Sequence, residues 1–444
     1  MTDKPLETGS VAEKKSISLM GAIFIGIGSM VGAGIFALFG EAGKIAEAAV
    51  WLSFLVSGII ALLQGYSFAK LGSKYPSAGG MIDWIVRGYG KGLFTGCIVM
   101  LGYFSVLIVT AMVAVTFGNY AVDLTGQALG TTIDPIWGKV FAAAIIILLT
   151  FLNSIGAEAV TKAQTVIVTI VLIILSGFAI AMLTQMNTSY LAPADYPSMR
   201  YILASVALTF FAYLGFGVIS FSGGDIENPK KNMPRAMYIS LGFTMVLYVA
   251  LAIGVFGVLG VDGVIANADT ALAAAALPIF GAAGYTLISI SALFSTTGAI
   301  NSQLYASIGA TYTMAKDGTL PPRFGLKRRR REGGTQGLVI SSILILALAL
   351  LFDVTAISSI GSAVALAIFV LITIAHLRMA KDTGASKFVL VLALIATTLA
   401  ILLFCWNTLL TAPTTFVILI GTIILAWVVE AIWRAISKRE VKTV

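Results

Sequence analysis

The residues of this chain that offer chemistry are glycines, and what they free is backbone. One stretch reads Gly26-Ile27-Gly28-Ser29-Met30-Val31-Gly32-Ala33-Gly34-Ile35-Phe36. A second reads Leu208-Thr209-Phe210-Phe211-Ala212-Tyr213-Leu214-Gly215-Phe216-Gly217 and runs on into Gly223-Gly224-Asp225-Ile226-Glu227-Asn228-Pro229. Each glycine weakens a helix by about 1 kcal/mol relative to alanine, and admits close approaches that a side chain forbids. The spacing Gly28-x-x-x-Gly32 alone would serve as a packing stripe between membrane helices. Glycines at both i and i+2 fall on different faces, however, which favours a local break. A broken helix presents free amides at the start of one half, where the dipole is positive, and free carbonyls at the end of the other. Amides suit a carboxylate and carbonyls suit an ammonium group, so two such breaks match a zwitterion without an ionised side chain.

Other chemistries lack their residues. The single histidine, His376, stands where an apolar run meets a basic loop and reads as an interfacial residue rather than a proton relay. Cys97 and Cys405 both lie inside apolar runs, as packing residues rather than a disulfide or a metal site. A membrane-embedded transferase would need an acid/base pair, a carboxylate cluster or a nucleophile facing a cavity. A channel would need rings of carbonyls or charges along a hydrated path. Neither pattern is present, so a non-enzyme without a cofactor is expected.

The elements that must hold these glycines are membrane helices. Of 444 residues, 59% are hydrophobic and 11% charged, with mean hydropathy +0.99. A soluble chain carries about 25% charged residues, so this composition excludes a soluble globular protein. About 20 apolar residues cross a bilayer core as a helix. Runs of that kind fall near 18–40, 48–69, 93–118, 137–153, 164–185, 201–222, 236–260, 281–310, 337–352, 355–376, 388–407 and 413–433. The fold class is therefore an all-α polytopic membrane protein of about twelve transmembrane helices. No cleavable leader is read, because a polar tail, residues 1–17, runs straight into a full-length span.

Charge gives the direction. With the amino terminus cytoplasmic, 25 of the 28 Lys and Arg residues fall inside, and only Lys44, Lys139 and Arg200 fall outside. Both termini, including the tail 434–444, are then cytoplasmic, in a multi-pass protein of the cell membrane. The run Lys327–Arg331 and the net charge of +8 read as a topology anchor with affinity for anionic lipids at the inner face, with no nucleic-acid partner. The sequon at Asn187 falls in an outer loop.

Glycine pairs recur mid-span five helices apart, and interrupted spans at corresponding positions of two halves point to an inverted-repeat secondary transporter. Gly32-Ala33-Gly34-Ile35-Phe36 resembles the first-helix signature of the amino acid–polyamine–organocation (APC) superfamily. Phe210–Phe216 followed by Glu227-Asn228-Pro229-Lys230-Lys231-Asn232-Met233-Pro234-Arg235 resembles its sixth helix and the loop after it. Ser295-Thr296-Thr297 through Asn301, then Ala315–Pro321, resembles its eighth helix and inner end. The likeness covers nearly the whole chain and is nearest to prokaryotic amino acid permeases. It implies two inverted five-helix repeats, at 18–185 and 201–376, with two peripheral helices at 388–433.

The resemblance also implies a site. A substrate carboxylate would meet the backbone of Met30, Ala33 and Gly34, with Gly32 making room. The carbonyls of Phe211, Ala212 and Leu214 would hold the amino group, with Phe211 as an aromatic lid. The pocket lining is expected from Ala212, Tyr103, Phe210 and Met30. Some relatives carry a lysine inside the fifth helix that replaces a sodium ion. Here Gln164–Leu172 contains none, and Lys162 precedes the stretch as an anchor. The coupling ion is therefore either a proton or a sodium ion, the latter held by carbonyls near Gly28 and Val31 with the hydroxyls of Thr296 and Thr297. Relatives that take cationic substrates place an acid near them. No acid lies inside the first, third, sixth or eighth span, while Asp225 and Glu227 sit at the inner end. The expected activity is ion-coupled transport of neutral, small or apolar amino acids by alternating access, with an amino acid/amine exchanger as the alternative.

Overall fold

Without water in the hydrocarbon layer, backbone groups must satisfy one another, and the apolar runs accordingly become helices. The computed structural model describes residues 17–90, 92–155, 157–325 and 335–437. The tail up to residue 16, Lys91, the basic run Lys327–Arg331 and the end from Lys438 lie outside these residues, as do the side chains of Ala33 and Lys162.

The helices are α1 (Leu19–Ala33), α2 (Ile35–Ala46), α3 (Val50–Lys74), α4 (Met81–Tyr89), α5 (Leu93–Leu129), α6 (Ile136–Ile155) and α7 (Ala157–Gln185). They continue as α8 (Met199–Phe211), α9 (Val218–Phe221), α10 (Pro229–Ala266), α11 (Ala271–Asp317), α12 (Thr335–Leu351) and α13 (Val354–Arg378). α14 (Ala380–Thr383), α15 (Lys387–Thr411) and α16 (Pro413–Ser437) complete the chain. Among the described residues ten stretches are long and apolar enough to cross a membrane, and Leu19–Gly32 and Gln336–Leu351 are shorter apolar helices. Since α1 and α2 make one crossing, and α8 with α9 another, the order yields the twelve expected. Among the described residues strand pairing is limited to one bridge, between Ile17 and Ile226.

Two features go beyond the expected spans. α4 is a short amphipathic helix between the second and third crossings. α10 and α11 overrun their crossings and bend at Gly260 (φ +67°) and Gly281 (φ +64°), left-handed conformations that glycine adopts without a Cβ clash. The segment 261–280 thus forms a hairpin whose tip, a 3₁₀ turn at Ala268–Thr270, lies on α2 so closely that a Cβ on Gly40 would overlap the Ala268 carbonyl. At the opposite end Ile17 pairs with the loop after α9: its amide donates to the Asp225 carbonyl at 3.1 Å, and the Glu227 amide donates back at 2.9 Å.

Burial sorts the crossings. In the third (α5) and sixth (α8–α9), 89% and 94% of the apolar window is buried, against 28% and 17% in α15 and α16. The last two helices are peripheral, as the fold class requires. His376, read as interfacial, is instead fully buried at the end of α13, with Nδ1 2.7 Å from the Ser67 hydroxyl and Nε2 2.9 Å from that of Thr383. The polar partners are side chains from α3 and α14, which the sequence does not place beside it.

Candidate functional site

The first break is a single residue. α1 ends at Ala33, Gly34 takes φ −95° and ψ −76°, and α2 begins at Ile35. The Gly34 amide donates to the Met30 carbonyl at 2.6 Å, and the Leu38 amide to the Gly34 carbonyl at 2.9 Å. This is a kink in the ladder rather than an unwound loop, and it begins a new helix whose first amides have no carbonyl inside that helix. The second break is longer. After Phe211 the amides of Ala212 and Tyr213 turn back only three residues, to the carbonyls of Thr209 and Phe210 at 3.1 and 2.9 Å. A 3₁₀ turn follows at Leu214–Gly217 before α9 resumes. The tighter winding shifts the bonding by one residue and deprives carbonyls of their usual partners.

The two breaks interlock through glycines. A Cβ on Gly215 would overlap the Met30 amide and the Ser29 carbonyl carbon, and one on Gly34 would strike the Ala212 carbonyl and the Tyr248 hydroxyl. Here glycine serves close approach of two backbones, which no other residue allows.

Tyr248, in the middle of α10, joins them. Its hydroxyl donates to the Met30 carbonyl at 2.6 Å, lies 3.4 Å from the Ala212 carbonyl, and stands beside the Ile35 amide. One side chain thus touches the carbonyl end and the amide end of the first break together with a carbonyl of the second. Its ring is wedged edge-on to Phe54 at 5.5 Å and against Tyr213 at 5.2 Å, and the Tyr213 hydroxyl donates to the Phe54 carbonyl at 2.9 Å. Sequence reasoning missed Tyr248. Its signal was a lone hydroxyl within the apolar run Val246-Leu247-Tyr248-Val249, the kind of polar group that is costly in a membrane unless it has a task.

Not every expected residue lies here. Met30, Phe211, Ala212 and Leu214 are all buried around the breaks. The Phe211 ring reaches past α8 to Gly361 of α13 and lies near Ile108 of α5. Gly32 makes room for α11, not for a cavity: a Cβ there would overlap the Ser295 carbonyl and the Ala299 methyl. Phe210 packs edge-on to Phe369 at 5.5 Å, in an aromatic cluster with Phe68 and Phe216. Tyr103 turns toward α12, its hydroxyl 2.7 Å from that of Ser341, and its ring borders an apolar cleft between α5, α12, α13 and α16.

Gly28 and Val31 are buried in α1, and α11 lies alongside. The Thr296 and Thr297 hydroxyls each donate to their own helix, at 2.7 Å to the carbonyls of Ala292 and Leu293. Gln303 of α11 makes a polar link between the two helices, its amide lying 3.3 Å from the Ser29 hydroxyl. Among the described residues no group of three or more His, Cys, Asp or Glu is arranged to hold a metal ion. No ionisable acid or base occurs between residues 19 and 40 or between 201 and 222. What the region of the two breaks offers is backbone dipoles and one phenol.

Residues 17–430 match the family model described as amino acid permease. The chain belongs to this family. The permease is 36% identical over 428 residues to an uncharacterised protein of Methanocaldococcus jannaschii, covering 96% of this chain and 97% of that one. It is 31% identical over 420 residues to the inner membrane transport protein YbaT of Escherichia coli, covering 95% and 96%. In fold it is similar to Mhp1, a nucleobase-cation-symport-1 family transporter solved in a closed conformation with bromovinylhydantoin bound. That match has TM-score 0.56 at 13% identity and covers 95% of this chain and 94% of the other. The permease is thus a multi-pass membrane transporter and not an enzyme.

Proposed function

We propose that the permease is a secondary active transporter that carries neutral, small or apolar amino acids across the cytoplasmic membrane by alternating access, coupled to a proton or a sodium ion. The observation that carries this reading is the meeting of the two breaks at Tyr248. There the first amides of α2 face the same small region as the carbonyls of Met30 and Ala212. A zwitterion fits that polarity: its carboxylate takes the amides at the positive end of α2, and its ammonium takes carbonyls. The absence of acids from residues 19–40 and 201–222, which hold both breaks, favours an uncharged side chain over a cationic one. In this reading Phe211 closes over the substrate, and Met30, Ala33, Gly34, Ala212 and Leu214 supply backbone.

Residues 18–185 and 201–376 are then the two inverted repeats, and crossings one, two, six and seven tilt against the rest. Both termini are cytoplasmic, and the basic inner loops rest on anionic lipid. The Ile17–Ile226 bridge closes the inner end, and the hairpin at Ala268 closes the outer end over α2. The test is uptake of labelled L-alanine and L-leucine by proteoliposomes holding the full chain. Uptake is expected to saturate, to show counterflow, and to respond to a proton or sodium gradient imposed separately. Ala212→Trp, which fills the space between the breaks, abolishes it while the protein still elutes as a folded species. Uptake that survives this substitution overturns the site.

A further inference from the structure

Beyond the central breaks, a second polar pocket lies between α5 and the tip of the hairpin. It encloses about 320 Å³ and is lined by Asn119, Asp123 and Pro135 on one side and by Asn267–Thr270 on the other. Two carboxylates face it. Asp269 accepts the Asn119 amide at 3.3 Å, and Asp123 accepts the Tyr285 hydroxyl. The surrounding charges do not neutralise them. Lys44 is held by Glu41 at 2.7 Å, Asp353 is a further negative neighbour of Asp269, and Lys139 donates to the Leu350 carbonyl at 2.8 Å.

Beneath these acids stands Tyr120. It is fully buried, and its hydroxyl has no hydrogen-bond partner among the described residues. The polar groups around that hydroxyl are Tyr285, Asp123 and Asp269. The other side of its ring meets Phe36 edge-on at 5.7 Å, two residues beyond the Gly34 kink. Tyr120 and Phe36 therefore stand as a partition between the acids beside this pocket and the Gly34 kink. A buried phenol with its hydrogen bond unmade is costly, and groups of this kind mark a missing partner.

We propose that this pocket captures the primary ammonium group of an arriving amino acid before it passes the Tyr120–Phe36 partition, an inference that rests on the transport reading above. The chemistry is one-sided. Two carboxylates and an amide oxygen line it, with the Tyr120 phenol oxygen buried behind them, and an ammonium group brings three donors and the opposite sign to this net negative charge. The volume accommodates a small organic molecule and not merely a bare ion. Because the carboxylates open toward solvent, a negative antechamber concentrates cationic groups at low desolvation cost. The uncharged central breaks cannot do so.

The test uses the full-length permease in right-side-out vesicles, with external L-alanine as substrate and external ethylammonium as competitor. Asp269→Asn and Asp123→Asn are each expected to raise the KM from the hairpin side about tenfold, the loss of one charge-assisted hydrogen bond. Maximal rate and the KM measured from the opposite side stay unchanged, and ethylammonium inhibition weakens in parallel. Tyr120→Phe gives a second reading without loss of charge. It removes a hydroxyl that bonds nothing among the described residues, so thermal stability holds while ethylammonium inhibition falls. Unchanged KM and unchanged inhibition in these variants overturn the proposal. If the unaltered permease takes up no amino acid, the transport reading has failed. The pocket is then judged by ethylammonium alone: a thermal shift of the purified protein that Asp269→Asn abolishes supports it, and one that Asp269→Asn leaves intact removes it.

Discussion

Gly215 rests directly on the Met30 amide, with no room between them for a methyl group. That contact sets the separation of the first and sixth crossings, and so the span between the groups proposed to hold the two ends of a substrate. Gly215→Ala forces the backbones apart, and overpacking of this kind costs about 1–3 kcal/mol. Gly217 is the internal control, since a Cβ there would meet only the Phe68 ring, at an ordinary 3.9 Å. Gly215→Ala is expected to lower the melting temperature in detergent and to abolish uptake, with Gly217→Ala close to the parent in both. Equal behaviour of the two variants contradicts the interlock.

Tyr248→Phe removes the hydroxyl that donates to the Met30 carbonyl and stands beside the Ile35 amide. Met30 retains the Gly34 amide as a donor, so the group that loses its polar neighbour is the Ile35 amide. A buried unsatisfied donor costs about 1–3 kcal/mol. Substrate that needs this amide would find its surroundings rearranged. Expected are a modest loss of stability and a loss of the thermal shift that substrate gives the parent protein. Tyr213→Phe, which loses a bond to the Phe54 carbonyl on α3, is expected to lower stability while keeping that shift. A normal substrate shift in Tyr248→Phe would remove Tyr248 from the site.

The crossings were legible in the sequence because membrane burial leaves a one-dimensional record of about 20 apolar residues per helix. The glycine pairs marked both broken crossings. What they could not mark was partner choice. Gly32 and Gly34 stand two residues apart, yet one packs on Ser295 of α11 and the other on Ala212 of the second break. Tyr103 and Tyr248 read alike as tyrosines in apolar runs. Only the packing of α5 against α12 turns the first away to Ser341, while the packing of α10 against α1 brings the second to Met30. The bends at Gly260 and Gly281 were also invisible, since glycines occur throughout these helices without bending them, and the hairpin between them is apolar enough to pass for more of the same spans.

Gln64 tests how membrane-buried polar side chains are valued. It is fully buried on α3, donates to the Thr397 hydroxyl at 2.8 Å and accepts that of Thr373 at 2.9 Å, linking α3 to α15 and α13. Each threonine also has a carbonyl of its own helix within 2.8 Å, Ala393 for Thr397 and Phe369 for Thr373. Removing the glutamine therefore orphans neither hydroxyl. Gln64→Leu is expected to cost less than about 1 kcal/mol, in the range measured for such bonds between membrane helices. Gln64→Glu puts an ionisable group in the same place and costs more at pH 8 than at pH 5, because only the protonated acid can replace the amide. A thermal melt of the purified variants at both pH values decides it. A Gln64→Leu protein that fails to fold refutes the ranking.

The loop after α9 is clasped to Ile17 and to α11. Asp225 accepts the Ile17 amide through its backbone carbonyl and the Tyr305 hydroxyl of α11 through its carboxylate, the latter at 2.7 Å. The start of α1 and the end of α9 are thereby tied to a helix that the proposed alternating-access cycle requires them to leave. A hydrogen bond to a charged group contributes about 1.5–3 kcal/mol. If it is absent from the inward-open state, Tyr305→Phe shifts the closed-to-open balance toward opening by about tenfold or more. Ser222 reports on this, being fully buried beside the clasp. In a background with Cys97 and Cys405 replaced by alanine, Ser222→Cys is expected to react slowly with a membrane-impermeant maleimide applied from the Ile17 side. Adding Tyr305→Phe raises that rate by about the same factor, since labelling tracks the open population when opening and closing are fast. No change is expected from the hairpin side, where the covering contact is Ala268 on Gly40. Equal labelling rates with and without the Tyr305 hydroxyl mean that Asp225 holds the loop after α9 in every state, and that the inner gate lies elsewhere.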